Sequence, residues 1–237
     1  EFGGATSFNS ETERNIVGAY VQDRHKLQDL TLTAGARMDW YDDFGASINP
    51  RGALVYHLPI DASVKLMYGR AFRAPNFLEL HDRNNPVDFG NTDLDPEVVD
   101  TYEAAWVQSL GMARISLTGF MNRTKDIIVL DAPVEHPDNP LGAPRFTNKG
   151  DQEVIGGELD VRARPLDSLL LLGSFTYLSG DDLPVTDTMA SLALSYDAGP
   201  VTVNANAYYR GEVDAVEDQD AYVLANTGVE YHAPADL

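Results

Sequence analysis

The side chains that could move a proton, act as a nucleophile or bind a metal ion are scattered through this chain. The five histidines include no pair spaced four residues apart, as a helical metal site needs: His25, His57, His81, His136 and His232. No H-E-x-x-H, G-x-S-x-G or phosphate-binding Gly-rich motif occurs. The adjacent carboxylates Asp42/Asp43 and Asp181/Asp182 stand in loop-like stretches, where solvated charge explains them. The sequence therefore predicts no enzyme, no cofactor and no metal centre.

The net charge restricts the partners of the chain. It carries 17 Lys and Arg against 37 Asp and Glu, a formal net charge of −20. Binding to nucleic acid needs clustered Lys and Arg, and no basic run occurs, so the sequence predicts no nucleic-acid partner. Cysteine is absent, which excludes disulfides and Cys-ligated zinc or iron–sulfur sites.

Nearly every segment alternates with a period of two. In residues 113–120, "ARISLTGF", apolar side chains alternate with Arg114, Ser116 and Thr118, which indicates a strand with one apolar and one polar face. The pattern predicts an all-β chain of about eleven strands, and most are about ten to twelve residues long, as tilted bilayer-spanning strands are. They are expected near residues 13–23, 30–41, 51–58, 62–72, 98–108, 112–124, 153–164, 168–179, 187–197, 200–211 and 220–231. Apolar runs such as Leu169–Leu172 are far too short for a membrane helix.

The connections between these strands alternate between short and long. The short ones are "RHKLQD", "HLPID", "SLGM", "RPLDS" and "DAGP", and the long ones are residues 41–50, 73–97, 125–152, 179–186 and 211–219. All long connections then lie on one side of the sheet, as in an outer-membrane barrel with short periplasmic turns. Aromatic residues near strand ends, such as Trp40, Tyr56 and Tyr177, are typical of interfacial girdles. The sequence predicts an antiparallel transmembrane β-barrel.

The predicted topology is that of a partial barrel. Single-chain bacterial barrels have an even number of antiparallel strands, whereas eleven are predicted here and both the first and the last descend. The chain opens with "EFGGATSF", which has no signal-peptide pattern. Residues 1–237 are therefore expected to be part of one outer-membrane barrel domain, with the first and last strands absent.

Many carboxylates fall in the long connections, for example Glu79, Asp88 and Glu135. Two interpretations stay open. These groups keep the outer surface soluble and bind divalent cations that bridge lipopolysaccharide, or they attract cationic and neutral metal complexes and repel strongly anionic ones. The second interpretation predicts a ligand other than triply anionic ferric citrate.

Several motifs resemble those of the TonB-dependent outer-membrane receptors. "YGRAFRAPNFLEL" contains an F-R-A-P box, and "GNTDLDPEVVDTYEAAW" contains an N-P-x-L-x-P-E-like box followed by Y-E, with Thr92 where the family usually has Pro. "FTNKGDQEVIGGELDVRARP" is similar to a later family segment, and "GAYVQDRHKL" with "LTLTAGARMDWYDD" resembles two paired early strands. The matching motif residues are Phe72, Arg73, Ala74, Pro75, Asn91, Leu94, Pro96, Glu97, Tyr102, Glu103, Gly157, Glu158 and Leu159.

The resemblance implies a barrel of ~22 strands with a plugged lumen. Such a receptor binds a scarce metal complex outside and releases it inward when the TonB energy-coupling complex acts on the plug, a domain that residues 1–237 lack. A ferric siderophore is the favoured ligand, and cobalamin and haem are the other classes. The expected location is the outer membrane of a Gram-negative bacterium, in contact with lipid and lipopolysaccharide.

The candidate ligand-binding residues are polar side chains on loops or on the lumen wall: Arg73, His81, Arg83, Asn84, Asn85, Tyr102 and Arg210. His81 lies between the two boxes, where haem-uptake receptors of the family carry a haem-ligating His, and a neutral imidazole can ligate haem iron. Two rival classes remain. A passive porin-type channel shares the alternation and loop layout, and a soluble β-sandwich alternates with its polar face outward.

Overall fold

The computed structural model describes residues 12–83, 85–133, 135–137, 139–180, 185–213 and 219–233. No helix among these residues is both long and apolar enough to cross a membrane. The described elements are one short helix, α1 (Phe77–His81), and the strands β1 (Ile16–Leu27), β2 (Leu30–Tyr41), β3 (Gly45–Leu58), β4 (Ala62–Arg73), β5 (Glu97–Leu110), β6 (Ala113–Lys125), β7 (Ile128–Pro133), β8 (Pro144–Asn148), β9 (Gln152–Leu166), β10 (Leu169–Gly180), β11 (Thr188–Ala198), β12 (Val201–Arg210) and β13 (Tyr222–Tyr231).

An 11-stranded antiparallel sheet dominates the fold, in the order β1-β2-β3-β4-β5-β6-β9-β10-β11-β12-β13. Each strand pairs with its neighbours in the chain, except that β6 pairs with β9 because β7 and β8 form a separate hairpin between them. β1 and β13 pair on one side only, so the sheet is open within the described residues. The predicted antiparallel all-β architecture is confirmed.

The two faces of the sheet differ as the alternation predicts. One face carries large apolar side chains that are exposed, including Leu66 at 50%, Trp106 at 40%, Leu117 at 56% and Leu192 at 60%. They lie in register across strands, since Trp106 is opposite Leu117 and Leu117 is opposite Leu159. The other face is polar, with Arg37 opposite Asn49. An apolar face of this extent fits lipid, and the polar face fits a barrel lumen.

Two predicted element boundaries are wrong. Residues 45–50 were expected in a loop, but β3 begins at Gly45, and only residues 42–44 connect it to β2. Gly45 adopts a φ of 96°, which glycine tolerates without strain and which makes so short a turn accessible. Residues 24–27 were expected in a turn but continue β1, because Gln28 takes the left-handed turn conformation with a φ of 49°.

Gly156, rather than the predicted motif residue Gly157, is the glycine that packing requires in β9. A Cβ atom at position 156 would overlap the Phe120 ring on β6 and lie 2.9 Å from the carbonyl oxygen of Tyr177 on β10. A Cβ atom at position 157 would lie 3.6 Å from the carbonyl oxygen of Thr118, an ordinary contact. The bulky Phe120 side chain thus occupies the space above Gly156 on the polar face.

Candidate functional site

The F-R-A-P box and the second box meet at the outer ends of β4 and β5. Arg73 lies directly opposite Glu97, and its Nε and Nη2 groups donate to the two carboxylate oxygens at 2.7 Å each. Its Nη1 group donates to both oxygens of Glu79 at 3.0 and 3.1 Å. Glu97 also accepts from the backbone N–H of Ile128 at 2.8 Å. One guanidinium therefore joins both boxes, helix α1 and the start of β7.

Helix α1 is fixed at its start by a capping box. The Asn76 side chain accepts from the backbone N–H of Glu79 at 2.9 Å, and the Glu79 carboxylate accepts from the backbone N–H of Asn76 at 2.8 Å. This reciprocal pair satisfies two backbone donors that a helix leaves open. Glu79 is buried, so its second task, pairing with Arg73, compensates a charge that is largely shielded from water.

The connection from β4 to β5 and the connection from β6 to β9 fold together. We call their described residues between 74 and 96 and between 126 and 151 the loop module. Phe89 extends the β7–β8 hairpin, because its N–H donates to Pro144 at 2.8 Å and its carbonyl accepts from Phe146 at 3.0 Å. The Asn91 side chain donates to the carbonyl of Phe146 at 2.9 Å. Asn148 accepts from the Asp95 N–H and donates to the Asp95 carbonyl, both at 2.8 Å.

The loop module has an apolar core of its own. Its buried apolar residues include Leu80, Phe89 and Leu94, each at 2% exposure, and Ala143 at 1%. The Arg83 guanidinium lies over the Phe89 ring at 4.7 Å, and the ring of His136 lies 5.4 Å from the Phe89 ring. Backbone pairing and a shared core make the two long connections one packed unit.

Arg14, which precedes β1, ties the module to the neighbouring strands. Its guanidinium donates to the Asp43 carboxylate and to the carbonyl of Pro75, both at 2.7 Å. It also lies 4.9 to 5.6 Å from the ring centroids of Tyr41, Phe44 and Phe77. The Phe72 ring meets Tyr41 edge-on at 5.8 Å. Sequence reasoning missed Arg14, because nothing in its local pattern indicates such a contact.

His81, the predicted haem ligand, ends α1 and is half-buried. Its ring stacks on Phe77 with centroids 6.4 Å apart. Burial and the nearby Arg83 cation lower the pKa of His81 below its usual value, so the imidazole is neutral at neutral pH. A role in haem ligation stays a prediction.

Arg83 and Asn85 take part in the internal bonding of the module. The Nη1 group of Arg83 donates to the carbonyls of Asp82 and Gly90 at 2.7 and 3.2 Å. The Asn85 amide donates to Asp82 and to Asp88 at 2.7 and 3.1 Å. Hydrogen bonding to Asp82, together with burial, raises the pKa of Asp88 to about 6. Asn84 lies outside the described residues.

The remaining predicted ligand residues are not brought together with the module. Tyr102 is 42% exposed on the apolar face, where its ring lies 5.1 Å from that of Tyr68. Arg210 ends β12 and borders a cavity of about 420 Å³ with Gln219 and Tyr222. The structure therefore groups Arg73, His81, Arg83 and Asn85 and separates Tyr102 and Arg210 from them. No cluster of three metal-ligating residues occurs in the part of the chain that is described.

The motif residues of the strands lie on both faces of the sheet. Leu159 is on the apolar face opposite Leu117, and Glu158 is on the polar face opposite Thr118. Glu103 is opposite Met67 and Phe120 on the polar face. Pro96 stands immediately before β5, and Ala74 immediately follows β4. These positions shape the wall of the sheet and its upper ends.

Residues 1–235 match the family described as "TonB dependent receptor-like, beta-barrel". The chain belongs to this family. The match extends over nearly all of the 237 residues of this TonB-dependent receptor barrel, and it confirms the resemblance seen in the two boxes.

Two relatives from Vibrio cholerae serotype O1 are similar to this receptor barrel. The vitamin B12 transporter BtuB is 23% identical over 234 residues, which cover 94% of this chain and 37% of the relative. The iron-regulated outer membrane virulence protein is 29% identical over 171 residues, which cover 67% of this chain and 26% of the relative. The chain thus spans well under half of either relative. The predicted location in the outer membrane of a Gram-negative bacterium is confirmed.

Solved receptor structures share the fold. A ferric enterobactin receptor (PfeA) from Pseudomonas aeruginosa matches with a TM-score of 0.78 and 20% identity, over 94% of this chain and 38% of that one. The siderophore receptor PirA from Acinetobacter baumannii matches with a TM-score of 0.79 and 20% identity, over 92% of this chain and 39% of that one. The partial barrel of this TonB-dependent receptor is therefore the arrangement seen in these proteins.

Proposed function

We propose that the protein carrying residues 1–237 is an outer-membrane receptor, and not an enzyme, for the active, TonB-coupled uptake of a scarce metal complex. A ferric siderophore is the first choice of ligand, with cobalamin and haem as further classes. The loop module is the observation that carries this proposal. Tight binding of a rare ligand needs a preorganised surface. The loop module is preorganised by the hydrogen bonds of Arg73, by the bridge that Asn91 makes to Phe146, and by the shared apolar core.

The proposal includes parts beyond these residues. Residues 1–237 form part of one barrel domain, and further strands and a plug that contacts TonB complete the receptor. The open edges of β1 and β13 support this, because unpaired backbone groups in lipid are strongly unfavourable. Lipid is the expected partner of the apolar face. Lipopolysaccharide is the expected partner of the charged outer strand ends, where Arg123 stands near Lys125.

Uptake in cells tests the function. Deletion of the gene that encodes this chain is expected to abolish import of at least one radioiron siderophore or of labelled cobalamin, and the intact gene restores it. Collapse of the proton-motive force, or loss of TonB, stops the same import. A passive porin-type channel would instead admit small solutes without energy. Import that persists in the deletion strain, or that ignores the energy supply, would contradict the proposal.

A further inference from the structure

The pairing of β3 with β4 stops partway up the sheet. The highest pair is Arg51 opposite Gly69, although β3 continues to Gly45 and β4 to Arg73. The residue at which pairing stops is followed on the outer side by Pro50, which has no N–H to donate to a neighbouring strand. The two strands therefore part above Arg51.

A cavity of about 290 Å³ lies at this position. Four of its lining residues, Tyr20, Arg37, Asn49 and Arg51, lie on the polar face of the sheet. The others, Val21, Ala36 and Arg70, alternate with them along the strands and border the cavity from the apolar side. A volume of this size holds one arm of a metal chelate rather than the whole complex, since pockets for drug-sized ligands span ~300–1,000 Å³.

Two of the three arginines already have carboxylate partners. Arg37 donates to both oxygens of Asp39 at 2.6 and 2.7 Å. Arg70 donates to both oxygens of Asp100 at 2.8 and 2.9 Å. Arg51 is exposed and has no ion pair or side-chain hydrogen bond within the described ranges.

The neighbours of Arg51 leave space around its side chain. Gly35 on β2 and Gly69 on β4 lie directly opposite Arg51 on either side. A Cβ atom added at Gly69 would have no heavy atom within 4 Å, whereas one added at Gly35 would lie 2.9 Å from the carbonyl oxygen of Val21. On the Gly69 side the Arg51 guanidinium is therefore flanked by bare backbone, so its N–H groups are accessible within the described residues.

The charge of this wall is opposite to that of the whole chain. On the polar face of β1 to β4, alternation places the cations Arg24, Lys26, Arg37, Arg51, Lys65 and Arg73 against the single anion Asp39. The outer carboxylates that suggested a barrier to anions are in part paired, since Asp43 binds Arg14, Asp131 binds Lys149, and Glu79 and Glu97 bind Arg73. The net charge of −20 therefore does not describe the field at Arg51.

We propose that Arg51, between Gly35 and Gly69, binds a negatively charged arm of the metal chelate as it lies in the barrel. This inference rests on the proposed function and narrows its ligand to chelates that carry carboxylate or catecholate oxygens. A guanidinium suits such oxygens because its planar fork donates two parallel hydrogen bonds.

Binding of two probes of opposite character tests the inference in the receptor purified from its native gene, so that everything encoded around residues 1–237 is retained. The probes are the triply anionic ferric complex of a tris-catecholate and the uncharged ferric complex of a tris-hydroxamate. In Arg51→Gln we expect about a tenfold loss of affinity for the anionic probe, the order expected for one charge-assisted hydrogen bond, and no change for the uncharged probe. Arg51→Lys should keep the salt dependence of binding but only part of the affinity, because lysine retains the charge and lacks the planar fork.

Arg123→Gln is the matched control, because it removes the same charge from the other face of the sheet and should leave both affinities unchanged. Added salt should weaken binding of the anionic probe more in the wild type than in Arg51→Gln. The inference is overturned if the wild type and Arg51→Gln bind the anionic probe with equal affinity. It is also overturned if Arg51→Gln loses equal affinity for both probes. Either result leaves the proposed function standing. Failure of the wild type to bind any metal chelate overturns the proposed function with it.

Discussion

The Arg73 guanidinium and the Glu97 carboxylate face each other across β4 and β5 and share two hydrogen bonds of 2.7 Å. Replacing Arg73 by Ala leaves Glu97 and the buried Glu79 without their cation. We expect the loop module to lose about 1.5–3 kcal/mol of local stability, the usual range for hydrogen bonds to charged groups. Amide hydrogen exchange at Gly90 and Asn91, which donate to backbone carbonyls of the module, measures the loss.

A second arginine provides the control for that change. Arg123 binds Glu153 at 2.6 Å, but their side chains are 51% and 44% exposed, and such surface pairs contribute ~0–1 kcal/mol. Arg123→Ala should therefore leave exchange in the module unchanged. Equal exchange in both variants would show that Arg73 does not hold the module together.

Asn91 joins the two connections of the module, and its removal should separate them. The side chain is 8% exposed and donates to Phe146, while its oxygen accepts from the N–H of Asp93 at 3.0 Å. Asn91→Ala leaves these groups without partners, at about 1–3 kcal/mol for each one that stays buried. We expect faster amide exchange in β7 and β8 with unchanged protection in the large sheet. Thr92→Ala, at the exposed neighbouring position, is the control and should leave amide exchange unchanged in β7, in β8 and in the large sheet. If exchange in β7 and β8 stays slow in Asn91→Ala, Asn91 does not hold the two connections together.

Gly156→Ala should destabilise the sheet, because the added methyl group overlaps Phe120 and approaches the backbone of Tyr177 to 2.9 Å. Overpacking of this kind typically amounts to about 1–3 kcal/mol. Gly157→Ala, with its nearest contact at 3.6 Å, is the matched control. Thermal unfolding in detergent compares the two, and the double variant Gly156→Ala with Phe120→Leu should recover part of the loss. Equal unfolding temperatures for the two alanine variants would contradict the packing described.

Acidification should tighten the loop around Asp88. Its pKa is raised from 3.8 to about 6, so between these values the folded loop binds more protons than the unfolded loop, and stability falls as the pH rises. The contribution of Asp88 to the stability of the loop is fully present below pH 3.8 and is lost as the pH rises through about 6. Amide exchange at Gly90, corrected for intrinsic rates, should show more protection at pH 5 than at pH 7. Asp88→Asn should remove the difference, and a difference that persists would assign it to another group.

The sequence was a good guide to the large sheet because the period of two is a local property. In strands such as β6 and β9, the alternation of apolar and polar residues, as at Leu117 and Thr118, predicts which side chains lie on which face. The end of β1 and the start of β3 were misplaced, since Lys26 and Asn49 belong to residue types that are depleted in strands, while their pairing partners on β2 hold them in strands.

The loop module was beyond such reasoning because its bonds join distant parts of the chain. Asn91 and Phe146 are 55 residues apart, and nothing in the composition of either segment encodes the other. The same holds for Arg51, whose importance depends on the glycines opposite it on two other strands. The net charge also gave a wrong indication of the field at Arg51, because a sum over the whole chain does not show on which face of the sheet an arginine lies.

The shared core of the loop module restricts how the outer surface of this receptor barrel can be altered. Phe89 is enclosed by residues from both long connections. A changed sequence in one connection therefore packs against a second connection whose side chains fit the original sequence. Recombination that exchanges residues 74–96 alone would yield a mismatched surface, whereas joint exchange with residues 126–151 would transfer an intact one. The two connections should therefore be exchanged together when the outer surface of one such barrel is transferred to another. Natural variants are expected to change both connections together for the same reason.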